Sequence, residues 1–196
     1  SAVVILAAAA GGCQRRAEKA ETPQAVAAAP APKAPVAPAI EVPAGFRHEA
    51  GFAATGYYMP ARTIQVGNYQ LSNITLGSPS DFTEWEGGRR AGEFGPVMVQ
   101  FDDVSSPMQA NEMGGENHSV NVRVLPTAYT VDSHTLAFAG AAAGVGPVVV
   151  QVRFDQEALH HALDGGEGAS TPVAHGVLMV AGRRFENVSF TYFAGD

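Results

Sequence analysis

Between Ser78 and Gly95 the chain reads SPSDFTEWEGGRRAGEFG, which brings Asp81, Phe82, Glu84, Trp85, Glu86, Arg89, Arg90 and Glu93 into one segment. A tryptophan flanked by carboxylates and guanidinium groups offers a ring face for stacking and charges that fix orientation. Sugar and peptide recognition both use that chemistry. With two tyrosines upstream, the candidate ligand-binding set is Tyr57, Tyr58, Asp81, Trp85, Glu86 and Arg89. The competing expectation is that Trp85 caps the core while the charges pair locally in a solvated loop, since aromatic side chains mostly serve packing. Glu84 and Glu86 would share one face of an extended segment, which leaves a carboxylate pair for glycoside hydrolysis open.

A second polar stretch, DDVSSPMQANEMGGENH (residues 102–118), gathers oxygen donors. Ca²⁺ takes six to eight oxygens, and a long loop can supply them. The candidate metal ligands are Asp102, Asp103, Asn111, Glu112 and Glu116. Their spacing matches no EF-hand or repeat-type calcium loop, so a plain polar hairpin loop stands as the alternative. The six histidines show no HExxH or HxxxH spacing. His160 and His161 are adjacent, so on a helix they point about 100° apart and do not share an ion. With no cysteine in the folding part, zinc is not expected. No Gly-x-Ser-x-Gly elbow, phosphate loop or dinucleotide fingerprint occurs, and no catalytic residue is assigned. Asn73, Asn117 and Asn187 each begin Asn-x-Ser/Thr and are read as ordinary strand and loop polars.

These segments must be held by a β-rich scaffold. Apolar/polar alternation dominates from Thr63 onward, first in TIQVGNYQLSNITLG, where Gly67-Asn68 suits a tight hairpin. Further strands are expected at Pro96–Asp102, Ser119–Leu125, Tyr129–Phe138 and Pro147–Phe154, with a last hairpin turning near Gly182-Arg183. Eight to ten short strands with Gly/Pro punctuation imply an all-β fold, an antiparallel sandwich or partly open barrel. One short helix is expected near residues 155–164, with Asp155 as N-cap, Gly165 as stop, and Leu159, Ala162 and Leu163 on its packing face. GPVMVQ (residues 95–100) echoes GPVVVQ (146–151), and LSNITL (71–76) echoes FENVSF (185–190), with the order swapped. That order suggests equivalent hairpins rather than a tandem repeat.

The chain has 196 residues and a net charge of −7, and both are unevenly spread. Every Phe, Tyr and Trp lies from Phe46 onward, so residues 46–196 form the expected single domain. That part holds sixteen Asp and Glu against eight Arg and no Lys, a net charge of −8. An acidic domain without a basic stripe lacks the counterion-release term that dominates nucleic-acid affinity, so nucleic acid is excluded as a partner. Residues 14–45 alternate Ala and Pro, which blocks helix formation. The expectation is a disordered, extended tether reaching roughly 60–90 Å at about 3.1 Å per residue. Arg15, Arg16 and Lys19 at its start would suit anionic lipid headgroups.

Residues 1–13 read SAVVILAAAAGGC and hold the chain's one cysteine. Nine apolar residues are too short to span a bilayer, which takes about 20, but suit the h-region of a signal peptide. Ala10-Gly11-Gly12-Cys13 resembles the lipobox of bacterial lipoproteins, departing from it where Ala10 replaces the preferred Leu. The resemblance covers only these first residues. It implies that Cys13 becomes the lipid-modified N-terminus, carrying acyl chains that anchor the protein in the membrane. Gln14 after the cysteine, rather than Asp, implies sorting to the outer membrane. The alternative is ordinary secretory cleavage within the alanine run. The sequence is therefore read as a bacterial cell-envelope lipoprotein with a non-catalytic binding or structural β-domain and a protein or glycan partner. A carbohydrate-binding or carbohydrate-active domain around Trp85 is the alternative. No cofactor beyond the lipid is expected, apart from the calcium option.

Overall fold

The structure, a computed structural model, describes residues 40–90, 92–110, 114–165 and 170–195. Cys13, the Ala/Pro tract up to residue 39, Asn111 and Glu112 lie outside the described residues.

The alternating runs form strands, in chain order β1 (Phe46–His48), β2 (Gly56–Pro60), β3 (Gln65–Val66) and β4 (Tyr69–Leu76). A helix α1 (Pro79–Glu86) precedes β5 (Val97–Asp103), β6 (Met108–Ala110), β7 (Glu116–His118) and β8 (Asn121–Val124). The rest is β9 (Pro126–Val131), β10 (Thr135–Ala142), β11 (Gly146–Phe154), α2 (Gln156–Leu163), β12 (Pro172–Val180) and β13 (Arg183–Phe193). Eleven strands build one sheet, ordered β1-β9-β10-β11-β12-β13-β2-β4-β5-β8 with β3 on β4, while β6 and β7 make a separate ribbon.

The sheet curls into a half-barrel, so of the two expected architectures the partly open barrel is the one adopted. Its inner face is the core: Val97, Val99 and Phe101 of β5, Val148, Val150 and Val152 of β11, and Leu178 and Phe190 are all buried. The curl brings β8 back towards β10. A side chain at Gly140 in β10 would be driven into the Leu125 carbonyl and would crowd Val124, so the close approach requires glycine.

Four expectations need correction. The sheet is mixed rather than wholly antiparallel, because β1 runs parallel to β9 with Phe46 opposite Tyr129. The run Tyr129–Phe138 is two strands, broken where the Asp132 carboxylate accepts the N–H groups of His134 (2.8 Å) and Thr135 (2.7 Å) in a side-chain-mediated turn. The strands outnumber the expected eight to ten, because two- and three-residue pieces such as β3 and β6 leave no alternation to read. There are two helices among the described residues, since α1 occupies the segment read as a loop.

The helix α2 lies where expected, with the Asp155 side chain accepting the Ala158 N–H at 3.0 Å. Leu159 is buried and Ala158 and Ala162 pack beside it, but Leu163 is exposed rather than on the packing face. The echo LSNITL/FENVSF falls on β4 and β13, which each carry a bulge, at Leu71–Asn73 and opposite Gly176–Leu178. The extra residue switches parity, so Leu71 and Ile74, like Phe185 and Val188, all face inward. The other echo does not complete equivalent hairpins, because β5 pairs with β4 whereas β11 pairs with β12 and not with β13.

Candidate functional site

The helix α1 is written into the sequence by Ser78-Pro79. Pro79 sits in the first turn, where its missing N–H is no loss, and the Asp81 carboxylate accepts the Ser78 backbone N–H at 2.7 Å. Phe82 and Trp85, three apart, fall on one face and are buried. Phe82 meets Tyr129 edge-on with ring centres 5.4 Å apart, and Trp85 meets Phe46 edge-on at 6.1 Å. The Arg90 guanidinium lies 4.4 Å from the Phe46 ring centre and 5.6 Å from that of Trp85. Trp85 is thus 6% exposed and packs as a core cap, not as an open stacking platform. Its indole N–H is the one buried side-chain polar group without a partner among the described residues.

On its other side α1 walls a cleft of about 490 Å³, within the size range of small-ligand sites. Tyr57, Trp85, Phe94, Pro96 and Met98 form its apolar lining, and Ser78, Asp81, Glu84 and Arg89 its polar margin. Register across the sheet places Phe193, Tyr57, Thr75 and Met98 in one row on β13, β2, β4 and β5. Tyr57 and Phe193 are exposed and lie 6.1 Å apart, so the apolar row continues from the cleft onto the outer surface. Phe94, 57% exposed, stands at the opposite margin with the Arg123 guanidinium 4.8 Å from its ring centre.

No family model, curated protein or solved structure matches this chain.

The structure divides the expected ligand-binding residues. Tyr57, Asp81, Trp85 and Arg89 line the cleft. Tyr58 does not: it is buried in the core, its hydroxyl donates to the Ala54 carbonyl at 2.8 Å, and burial pushes its phenol far above the ordinary range. Glu86 also departs. Because α1 is a helix, Glu84 and Glu86 point to different sides rather than sharing a face, which removes the paired carboxylates of the extended reading. Glu84 lines the cleft and pairs with Arg89 at 3.2 Å, both exposed. Glu86 instead accepts a hydrogen bond from the Tyr129 hydroxyl at 3.0 Å and lies 2.9 Å from His48 Nδ1. The His48 ring stacks on Phe82, so this cluster fastens α1 to β1 and β9. Burial, then the bond to Glu86, pushes the Tyr129 phenol well above its usual value.

The polar stretch from Asp102 to His118 does not gather its carboxylates among the described residues. Asp103 turns onto its own loop, accepting the Ser105 hydroxyl at 2.6 Å and its N–H at 2.9 Å, and those bonds hold its carboxyl below the usual range. Asp102 lies in β5 opposite Asn121, and Glu116 is exposed in β7 opposite Ala110. No group of three or more potential ligands suited to a metal occurs among the described residues.

Phe94, Pro96 and Met98 were not among the expected site residues. Nothing in their local sequence separates them from strand and loop residues; only the strand register and the position of α1 bring them to one wall. Asn73, the one buried polar residue among those described, accepts the Thr75 hydroxyl at 3.0 Å and is a sheet residue.

Proposed function

We propose that this chain is a lipid-anchored bacterial envelope protein whose β-domain is a binding module, and that the cleft beside α1 is its ligand site. The observation that carries the binding reading is the cleft itself, apolar within and ringed by charge. An apolar lining with a few polar groups at the margin is the usual build of a site that captures a compact apolar group and orients it. The margin favours capture over chemistry, since Asp81 is engaged in the helix N-terminus and Glu84 with Arg89. The anchor reading rests on the lipobox-like Cys13, and residues 14–45 would give the domain its reach from the outer membrane.

Trp85, as the sole tryptophan, reports on its own wall. Titration with a panel of aromatic and branched aliphatic ligands, and with envelope glycans, is expected to change its fluorescence saturably for the apolar set. Tyr57→Ala is expected to weaken that response about tenfold, the scale of one aromatic contact. A flat response to every ligand would remove the binding reading. The glycan form of it has less support, because the Trp85 ring is already covered by Phe46 and Arg90. For the anchor, intact mass of protein taken from native membranes is expected to show a diacylglyceryl-modified Cys13. Unmodified Cys13 in that fraction would overturn it.

A further inference from the structure

The outer face of the β12–β13 hairpin carries a second concavity, of about 450 Å³, lined by His175, Arg184, Glu186, Asn187 and Ser189 together with Gly176 and Val177. It is made by the bulge in β13. Asn187 sits there in the left-handed region at φ 53, which splays β13 from β12 and sets donors around a hollow. His175 and Ser189 face each other across the strands, with Nδ1 and Oγ 3.0 Å apart. When Ser189 donates in that pair, the proton of His175 is on Nε2, which has no partner among the described residues. The Asn187 amide is likewise without a partner. Arg184 spends only its Nε on Glu186, at 2.8 Å, which steers the guanidinium and leaves its terminal nitrogens available.

The charge around the hollow runs against that of the domain. Arg62 donates to the Glu186 carbonyl at 2.9 Å, and Arg153 stands opposite His175 on the same face of the sheet. Of these guanidinium groups Arg184 lines the hollow, and Arg62 and Arg153 stand on elements beside it, in a domain whose net charge is −8. A concentration of donors inside an acidic molecule points to an anion. Its shape is set by the donors: they come from both strands and from separate residues, which suits a tetrahedral oxyanion.

We propose that this bulge pocket binds a phosphate group, that of a soluble phosphate ester or of a lipid headgroup, on Arg184, Asn187 and His175. It shares no residue with the cleft beside α1 and stands or falls separately from it.

The test is a ¹H–¹⁵N NMR titration of the full chain with inorganic phosphate and with glycerol 3-phosphate, against chloride at matched ionic strength. Saturable shifts at the His175 ring and the Asn187 amide are expected with the phosphates and not with chloride. Arg184→Gln and Asn187→Gly are each expected to weaken binding about tenfold or more. Asn187→Gly keeps the left-handed backbone open to the chain, so its loss of binding is not a loss of fold. Arg123→Gln, outside the pocket, is expected to bind as the parent does. Sedimentation with phosphatidylglycerol vesicles, using a Cys13→Ser chain, separates the sources. Co-sedimentation lost in Arg184→Gln assigns the headgroup, and binding of the soluble ester alone assigns the ester. Shifts that only track ionic strength, or equal binding by parent, Arg184→Gln and Asn187→Gly, would overturn the proposal.

Discussion

Trp85 combines two opposed effects in one side chain. Its ring is packed among Phe46, Arg90 and the core, while its indole N–H is buried without an acceptor. An unmet buried donor costs about 1–3 kcal/mol, whereas removing the ring costs about 3–5 kcal/mol in lost burial and cavity. Trp85→Phe is therefore expected to lower stability by no more than about 1–2 kcal/mol, and Trp85→Ala by at least twice that, read by urea unfolding. A loss in Trp85→Phe well above that range would mean that the N–H carries no penalty. Tyr58 is the contrasting case, with a hydroxyl satisfied by the Ala54 carbonyl at 2.8 Å. Tyr58→Phe leaves that carbonyl unmet and is expected to cost about 1–2 kcal/mol.

Among the elements, the β12–β13 hairpin holds a strained turn. Its two central residues, Ala181 and Gly182, both have positive φ, 49° and 80°. Two such residues make the tight turn that matches strand twist, and its first position prefers Asn or Gly over Ala. Ala181→Asn is expected to stabilise by about 0.5–1 kcal/mol, seen as a rise in Tm. The helix α1 has the opposite vulnerability. Asp81 closes its first turn through the Ser78 N–H, so Asp81→Ala is expected to cost about 1 kcal/mol. Because α1 is also the wall of the cleft, the same change is expected to alter Trp85 fluorescence, which a loss of surface charge alone would not. The carboxylate that looked like a ligand contact thus acts first on its own helix.

For the whole molecule, closure and titration are the tests. Gly140 lies where the curled sheet brings β8 to β10, and Gly140→Ala is expected to lose about 3 kcal/mol or more, since the added methyl meets backbone rather than a movable side chain. Three carboxyls bind their protons more weakly in the fold than out of it. Glu49 is held down by the Ser133 N–H and hydroxyl, and Asp103 by the Ser105 hydroxyl and N–H. For Asp132, burial pushes upward but the bonds from His134 and Thr135 together outweigh it. Their contribution is complete above about pH 4, the ordinary carboxylate value, and is lost as pH falls below it. The tyrosines act at the other end: burial raises the phenols of Tyr58, Tyr129 and Tyr192, so stability falls as pH rises past about 10. Absorbance of phenolate is expected to appear for Tyr58 and Tyr129 only together with unfolding.

Periodicity settled the class of fold. Strand alternation, the Gly67-Asn68 hairpin and the Asp155-capped helix are local patterns, dictated by residues within a few positions of one another. The Ser78–Pro79–Asp81 helix start is equally local, but the aromatic and charged residues after it resemble a binding loop, and an extended segment there would put Glu84 and Glu86 on one face. Which aromatic would be open and which covered was not local at all. Tyr57 and Tyr58 are neighbours, yet one is 39% exposed and the other 2%, because adjacent strand residues face opposite sides of the sheet. Deciding which side is core requires the curl. The cleft depends in the same way on long-range register, with Phe193, Tyr57, Thr75 and Met98 aligned across four strands. Sequence alone determined that the chain alternates, where it turns, and that its one cysteine sits beside a lipobox-like run. Only the tertiary structure decided which residues share a surface, because strand pairing over more than a hundred residues is set by burial of the whole sheet and not by any segment of it.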